Sequence, residues 1–179
     1  VVNPLDSSLS VSLNNGDGTF ATEVEYGVGA NPNYITSADL NGDGFPDLVA
    51  TNADYAVHDF SVLLNNGDGT FAPKVDYAAG DNSRGIIAVD LNGDGFLDLA
   101  SVYVDDRNLS IFLNNGDGTF ATKVDYVVGN VGNGPDDLTT ADFNGDGFPD
   151  LAVARNDISG DDDLSIFLNN GDGTFAPRV

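Results

Sequence analysis

The chain has 179 residues, 41% of them hydrophobic and 22 of them glycine, with no Cys, Met or Trp, so it can build a core but not a disulfide. Acidic residues outnumber basic ones 29 to 6, a formal charge of −23 that repels phosphate and sets nucleic acid aside as a partner. No run approaches the ~20 apolar residues of a membrane helix, so neither membrane insertion nor a signal peptide is expected in this sequence. Glu23 and Glu25 are the only glutamates among the acids. A merely solubilising surface would use both acids freely, so the preference for Asp points to turns or ligands.

Two strings recur. Asn-Asn-Gly-Asp-Gly-Thr-Phe begins at Asn14, Asn65, Asn114 and Asn169, and Asp-x-Asn-Gly-Asp-Gly-Phe-x-Asp begins at Asp39, Asp90 and Asp142. They alternate with a period of about 50 residues, which divides the chain into a partial unit 1–30 and units 31–81, 82–130 and 131–179.

In the partial unit, Val1-Val2-Asn3 aligns with Val49 to Asn52 and with Ala152 to Asn156, so the chain is expected to begin inside a unit, as a mature chain or a piece of one. Leu9 to Leu13 alternates apolar and polar residues and reads as a strand, and Val24-Glu25-Tyr26 reads as another. In unit 31–81 a buried strand starts at Asp47, Tyr55 to Phe60 reads as an inter-strand loop holding the sole histidine, His58, and Val75 opens a copy of the Val24 strand. Unit 82–130 repeats this with Asp98 to Val102, a partly alternating Leu109 to Leu113, and Val124. In unit 131–179 the acidic stretch Gly160 to Asp163 reads as a solvated loop insertion. The chain stops at Val179, where sister units continue into Asp76-Tyr77 and Asp125-Tyr126. No segment of helical length shows a 3.6 period. Each unit offers about four strands, one on each side of the Asp-rich loop and one on each side of the Asn-Gly-Asp-Gly turn. That is the arithmetic of a propeller blade. The expected fold is all-β, a β-propeller of four-stranded antiparallel blades with three complete blades and a partial one, part of a larger ring or array.

The nonapeptide beginning at Asp39 places oxygen-bearing side chains at positions 1, 3, 5 and 9 (Asp39, Asn41, Asp43, Asp47), with Gly44 at position 6 and the Phe45 carbonyl at position 7. Alternate positions of a tight loop converge, and a set of hard oxygens suits Ca²⁺ rather than Zn²⁺ or copper. Position 12 would be Ala50, so this is not an EF-hand and position 9 has to close the set. The pattern recurs at Asp90, Asn92, Asp94, Phe96 and Asp98, and at Asp142, Asn144, Asp146, Phe148 and Asp150. Three Ca²⁺ sites, one per complete repeat, are expected, against the plainer reading of Asp/Asn/Gly turns with no metal. Asp17, Asp68, Asp117 and Asp172 lack a position-9 acid and read as structural turn residues, with a side-chain ligand or surface contact as the lesser role.

The nonapeptide between two strands, followed by Leu-Asn-Asn-Gly-Asp-Gly-Thr-Phe, resembles the FG-GAP/VCBS repeats, the blades of integrin-α-like propellers. The resemblance covers essentially the whole chain and implies a Ca²⁺-binding hairpin loop in each nonapeptide and an extracellular or cell-surface setting. Such propellers usually carry seven blades, and three units and a fragment fall short of that ring. Either a fragment of a longer array or a subunit completed by other chains is expected.

No once-only acid/base pair stands outside the repeat, and one histidine with no Cys leaves little for catalysis. The expected function is a non-catalytic extracellular calcium-binding scaffold for adhesion, ligand recognition or assembly, with protein or glycan ligands and further blades as partners. A glycan-binding or glycan-processing propeller is the alternative, and an oligomer or filament subunit a further one. Tyr26, Tyr77 and Tyr126 recur in register and read as inter-blade packing before sugar platforms. Asn108-Leu109-Ser110 is the one glycosylation sequon.

Overall fold

The computed structural model describes residues 1–53, 58–129, 134–155 and 164–178. Their strands form four antiparallel meanders, each with its strands in sequence order. The first holds β1 (Val2–Asn3), β2 (Ser8–Val11) and β3 (Val24–Gly27), and the second β4 (Pro32–Ala38), β5 (Asp47–Ala53), β6 (His58–Leu63) and β7 (Val75–Ala78). The third holds β8 (Ser83–Val89), β9 (Asp98–Tyr103), β10 (Asn108–Phe112) and β11 (Val124–Val127), and the last β12 (Pro135–Ala141), β13 (Asp150–Arg155) and β14 (Leu164–Phe167). This is an all-β fold of successive propeller blades, two with four strands and two with three among the described residues. Among the described residues no helix is long and apolar enough to cross a membrane.

The core lies between sheets. Leu9, Val28, Ala50 and Leu63 pack between the first and second sheets, and Leu40, Val49, Phe60, Leu99, Phe112 and Phe120 between the second and third. Ala100, Val102, Leu109, Ile111, Leu151, Val153 and Phe167 fill the seam between the third and fourth. Neighbouring residues of one strand thus serve opposite seams, Val49 one and Ala50 the other. Burial on both faces explains why Asp47 to Thr51 shows no apolar–polar alternation. Ala50, at the place of an EF-hand's closing acid, is wholly buried in this packing.

One local expectation changes. His58, Asp59 and Phe60, read from sequence as loop, open β6 and pair with Ala53, Asn52 and Thr51. Phe60 carries the anchor of that strand, stacking on Tyr77 at 5.2 Å and meeting Phe112 edge-on at 4.8 Å. The pairing energy of β5 with β6 overrides the local loop appearance of the segment. Tyr55 and the Gly160 to Asp163 insertion lie outside the described residues.

A meander fixes which connections share an end. The β4–β5 Asp loop and the β6–β7 Asn-Gly-Asp-Gly turn fall at one end of the sheet, and the β5–β6 connection at the other. Each innermost strand shifts register at the same place, Pro32/Tyr34, Ser83/Gly85 and Pro135/Asp137. Asn31 and Asn82, both left-handed, precede β4 and β8. Asn tolerates that conformation better than other side chains do.

Because Phe60 is fully buried among three other rings, Phe60→Ala is expected to cost about 3–5 kcal/mol of stability in urea unfolding. Val75→Ala, on the half-exposed outer strand, should change it by less than about 0.5 kcal/mol. Equal losses would disprove the seam as the seat of the core.

Candidate functional site

The three nonapeptide loops are near copies. In the first, the Asp39 carboxylate accepts the N–H groups of Gly42 and Gly44, each at 2.8 Å. The Asn41 amide donates to Asp43 at 2.9 Å, and Asp43 in turn accepts the Phe45 N–H at 2.8 Å. Gly42 and Gly44 hold φ of 74° and 88°, the left-handed turn that brings their N–H groups under Asp39. Asp90, Asn92, Asp94 and Phe96 repeat these bonds, as do Asp142, Asn144, Asp146 and Phe148. The Phe45 ring lies over the turn of its own unit, so close that a Cβ on Gly67 would sit 3.1 Å from it.

Position 9 differs from the rest. Asp47, Asp98 and Asp150 are wholly buried, whereas Asp43, Asp94 and Asp146 are exposed. One oxygen of Asp47 accepts the Leu40 N–H at 2.9 Å and the other the Asn65 N–H at 2.7 Å. Asp98 does the same with Leu91 and Asn114, and Asp150 with Phe143 and Asn169. Burial pushes the Asp47 and Asp98 carboxyls above the ordinary range. The two N–H bonds pull the other way, and the neighbouring acids at positions 1 and 5 add to the rise.

The turns complete the arrangement. Asn114 Nδ2 donates to the Leu97 carbonyl of its own unit at 2.9 Å and to the Leu40 carbonyl of the preceding unit's loop at 2.8 Å. Asn169 repeats this with Pro149 and Leu91. Leu40 and Leu91 are fully covered, while Phe143, at the same place in the third loop, is 49% exposed. Asp17, Asp68, Asp117 and Asp172 each accept the N–H and hydroxyl of the Thr two residues on. The hydroxyl bond, then the N–H bond, holds each carboxyl below the ordinary range. Sequence reasoning gave these turns a local role and missed the bridge made by Asn65, Asn114 and Asn169. The first Asn of each string also serves its own turn, accepting the N–H of the Gly two residues on, so the sequence carried no separate signal for the bridge.

Among the described residues no group of three or more His, Cys, Asp or Glu side chains is arranged to hold a metal ion. The loops nevertheless supply only carboxylate, amide and carbonyl oxygens, a donor set that fits a hard cation. Each oxygen of Asp47, Asp98 and Asp150 accepts one N–H and has a second lone pair.

Tyr26, Tyr77 and Tyr126 meet Phe71, Phe120 and Phe175 of the next unit edge-on, with centroids 5.2, 5.4 and 5.5 Å apart. The Tyr126 hydroxyl also accepts the Phe175 N–H at 3.1 Å. Beside Tyr77 is a cleft of about 320 Å³ lined by Phe112, Phe120, Thr122 and Lys123. His58 lies 3.1 Å from Asp81. Asn108 of the sequon is half-buried at the start of β10, and Ser110 is buried.

A model of the FG-GAP-like repeat matches residues 1–50, 39–101, 101–153 and 142–179. No curated protein matches the chain. A solved structure of an Agrocybe aegerita lectin, described as recognising non-reducing terminal N-acetylglucosamine, is similar with a TM-score of 0.60 and 25% identity. The likeness covers 97% of this chain and 46% of that one, so the chain spans about half the length of the lectin.

Two measurements test the electrostatics. Asp98→Asn puts an NH₂ group against one of two buried donors and should cost about 2–3 kcal/mol in metal-free unfolding. In a metal-free NMR titration, Asp68 should give up its proton below the ordinary Asp range and Asp98 above it. The sign follows by linkage. The four turn aspartates contribute stability that is complete above the ordinary Asp range and lost as pH falls through their lowered values. The raised carboxyls of Asp47 and Asp98 contribute below that range, and their contribution is lost as pH rises through their folded values. Asp68 titrating above Asp98 would refute the assignment.

Proposed function

The chain belongs to the FG-GAP-like repeat family, and we propose that it is a non-catalytic, calcium-stabilised propeller segment that presents a recognition surface outside the cell. The observation that carries this reading is the threefold recurrence of an all-oxygen loop bonded at its closing acid to the unit's other turn. Asp39, Asn41, Asp43 and Asp47 with the Phe45 carbonyl would hold one ion. Asp90, Asn92, Asp94, Asp98 and Phe96 would hold the second, and Asp142, Asn144, Asp146, Asp150 and Phe148 the third. Bound there, Ca²⁺ supplies the positive charge that offsets the repulsion among three neighbouring carboxylates. The loops' own N–H groups under Asp39, Asp90 and Asp142 already orient the first ligand of each set. Identical acids in every unit speak for a structural task, since a catalytic pair would stand in one place. Sites of this class fill at extracellular rather than cytosolic calcium, which supports a secreted or surface-exposed adhesive role.

A glycan ligand is the more specific reading, and two observations favour it. The related solved structure is a lectin, and the cleft beside Tyr77 is lined by aromatic Phe112 and Phe120 together with polar Thr122 and Lys123, the mixture a ligand site needs. In the first seam Pro73 takes the place of Thr122, so the hydroxyl is not common to the seams.

Calorimetry should find three Ca²⁺ per chain with dissociation constants of about 10⁻⁴ M, and calcium should raise the melting temperature by mass action. Asp94→Ala should leave two sites. No uptake, together with unchanged melting in a chelator, would sink the calcium reading. Titration with N-acetylglucosamine should give heat that Thr122→Ala abolishes. Heat unchanged by Thr122→Ala would remove the cleft from the proposal.

A further inference from the structure

Asn–Gly is the dipeptide most prone to deamidate, because glycine's amide nitrogen reaches the preceding side chain unhindered. Seven such pairs lie wholly within the described residues, beginning at Asn15, Asn41, Asn66, Asn92, Asn115, Asn144 and Asn170. An eighth, Asn133–Gly134, begins outside them. In an open chain the Gly nitrogen attacks the Asn Cγ. The new N–Cγ bond forms, the Cγ–Nδ2 bond breaks, and ammonia leaves with the proton that the Gly nitrogen gives up. Water then opens the cyclic imide at either carbonyl, giving aspartate or isoaspartate.

The native structure occupies both partners of this reaction at all seven places. Every attacking N–H is already donated. Gly42, Gly93 and Gly145 donate to the first Asp of their loop at 2.7–2.8 Å. Gly16, Gly67, Gly116 and Gly171 donate to the Asn two residues back at 2.8–2.9 Å. Every side-chain amide under attack is tied as well. Asn41, Asn92 and Asn144 bond to the Asp two residues on at 2.8–2.9 Å. Asn15, Asn66, Asn115 and Asn170 bond to a Thr hydroxyl at 2.8–2.9 Å. An N–H given to an oxygen acceptor is less acidic, and a tied amide cannot rotate its Cγ into line.

We propose that these seven pairs are latent modification sites which the fold holds shut, so that deamidation marks chains that have opened. The exposed loops and turns that carry them are closed chemically by their own side chains rather than by burial. Conversion of Asn41, Asn92 or Asn144 adds a carboxylate to a crowded loop. The isoaspartate form inserts a methylene into the main chain and destroys the alternate-position spacing.

Peptide mass spectrometry on chain held at warm, mildly alkaline pH tests this. The folded protein should deamidate at least about tenfold more slowly at each of the seven sites than the same chain in denaturant, since reaction requires opening. Thr70→Val removes the acceptor of the Asn66 amide and leaves the Gly67 bond to Asn65 in place. It should speed Asn66 by about fivefold, the loss of one net hydrogen bond, while Asn115 and Asn170 keep their rates as internal controls. Equal rates in folded and denatured chain would overturn the proposal. So would Thr70→Val accelerating all seven sites alike, or none.

Discussion

A carboxylate removed from water must find donors for both oxygens, and Asp47, Asp98 and Asp150 each find them in two different turns. That single buried group ties the first connection of a sheet to the last one on the same side. It therefore sets how far β4 and β7 can spread at this end, and likewise β8 and β11. Replacing the pairing with apolar contact would leave two buried N–H groups without partners. The same residue, counted along the loop, is the proposed last ligand of the cation. The structural duty and the proposed metal-holding one would thus meet in one side chain, and no other acid of the loop is placed to take over the first.

The bridge then passes to the neighbouring unit through neutral atoms. Asn114 and Asn169 carry one N–H to their own buried aspartate and a side-chain amide to the loop of the unit before. Apolar packing between sheets supplies the bulk of the attraction but is indifferent to small slides. The amide-to-carbonyl bonds are directional and fix the offset of one blade on the next. The edge-on Tyr–Phe contacts of each seam add a second positional constraint further out. The ring contact recurs at all three junctions and the Asn bridge at the last two, so stability should be close to a sum of unit and nearest-neighbour terms.

Much of this was legible in the sequence. Repetition at a fixed period, turn chemistry and the lack of helical periodicity suffice for strand number and all-β class, because they depend on local residue types. The strand at Val24 and its copies emerge at the expected places. The segment from His58 to Phe60 was misread because its partner, β5, lies earlier in the chain and pairing is a non-local property. The roles of Asn65, Asn114 and Asn169 were hidden for a related reason. Asn in a turn has a sufficient local explanation, and the Asn114 bond to Leu40 spans 74 residues. Burial separates Asp47 from Asp43, two acids equivalent on paper, because only the former falls where β5 enters the seams.

The meander also divides labour between the two ends of each sheet. One end is committed, since its loops and turns hold one another and the next unit in place. At the other end lie the connections between β5 and β6, β9 and β10, and β13 and β14, the last spanning 156–163 where its counterparts span 54–57 and 104–107. Copies thus differ in length at the end opposite the nonapeptide loops, where no ligand spacing has to be kept in register.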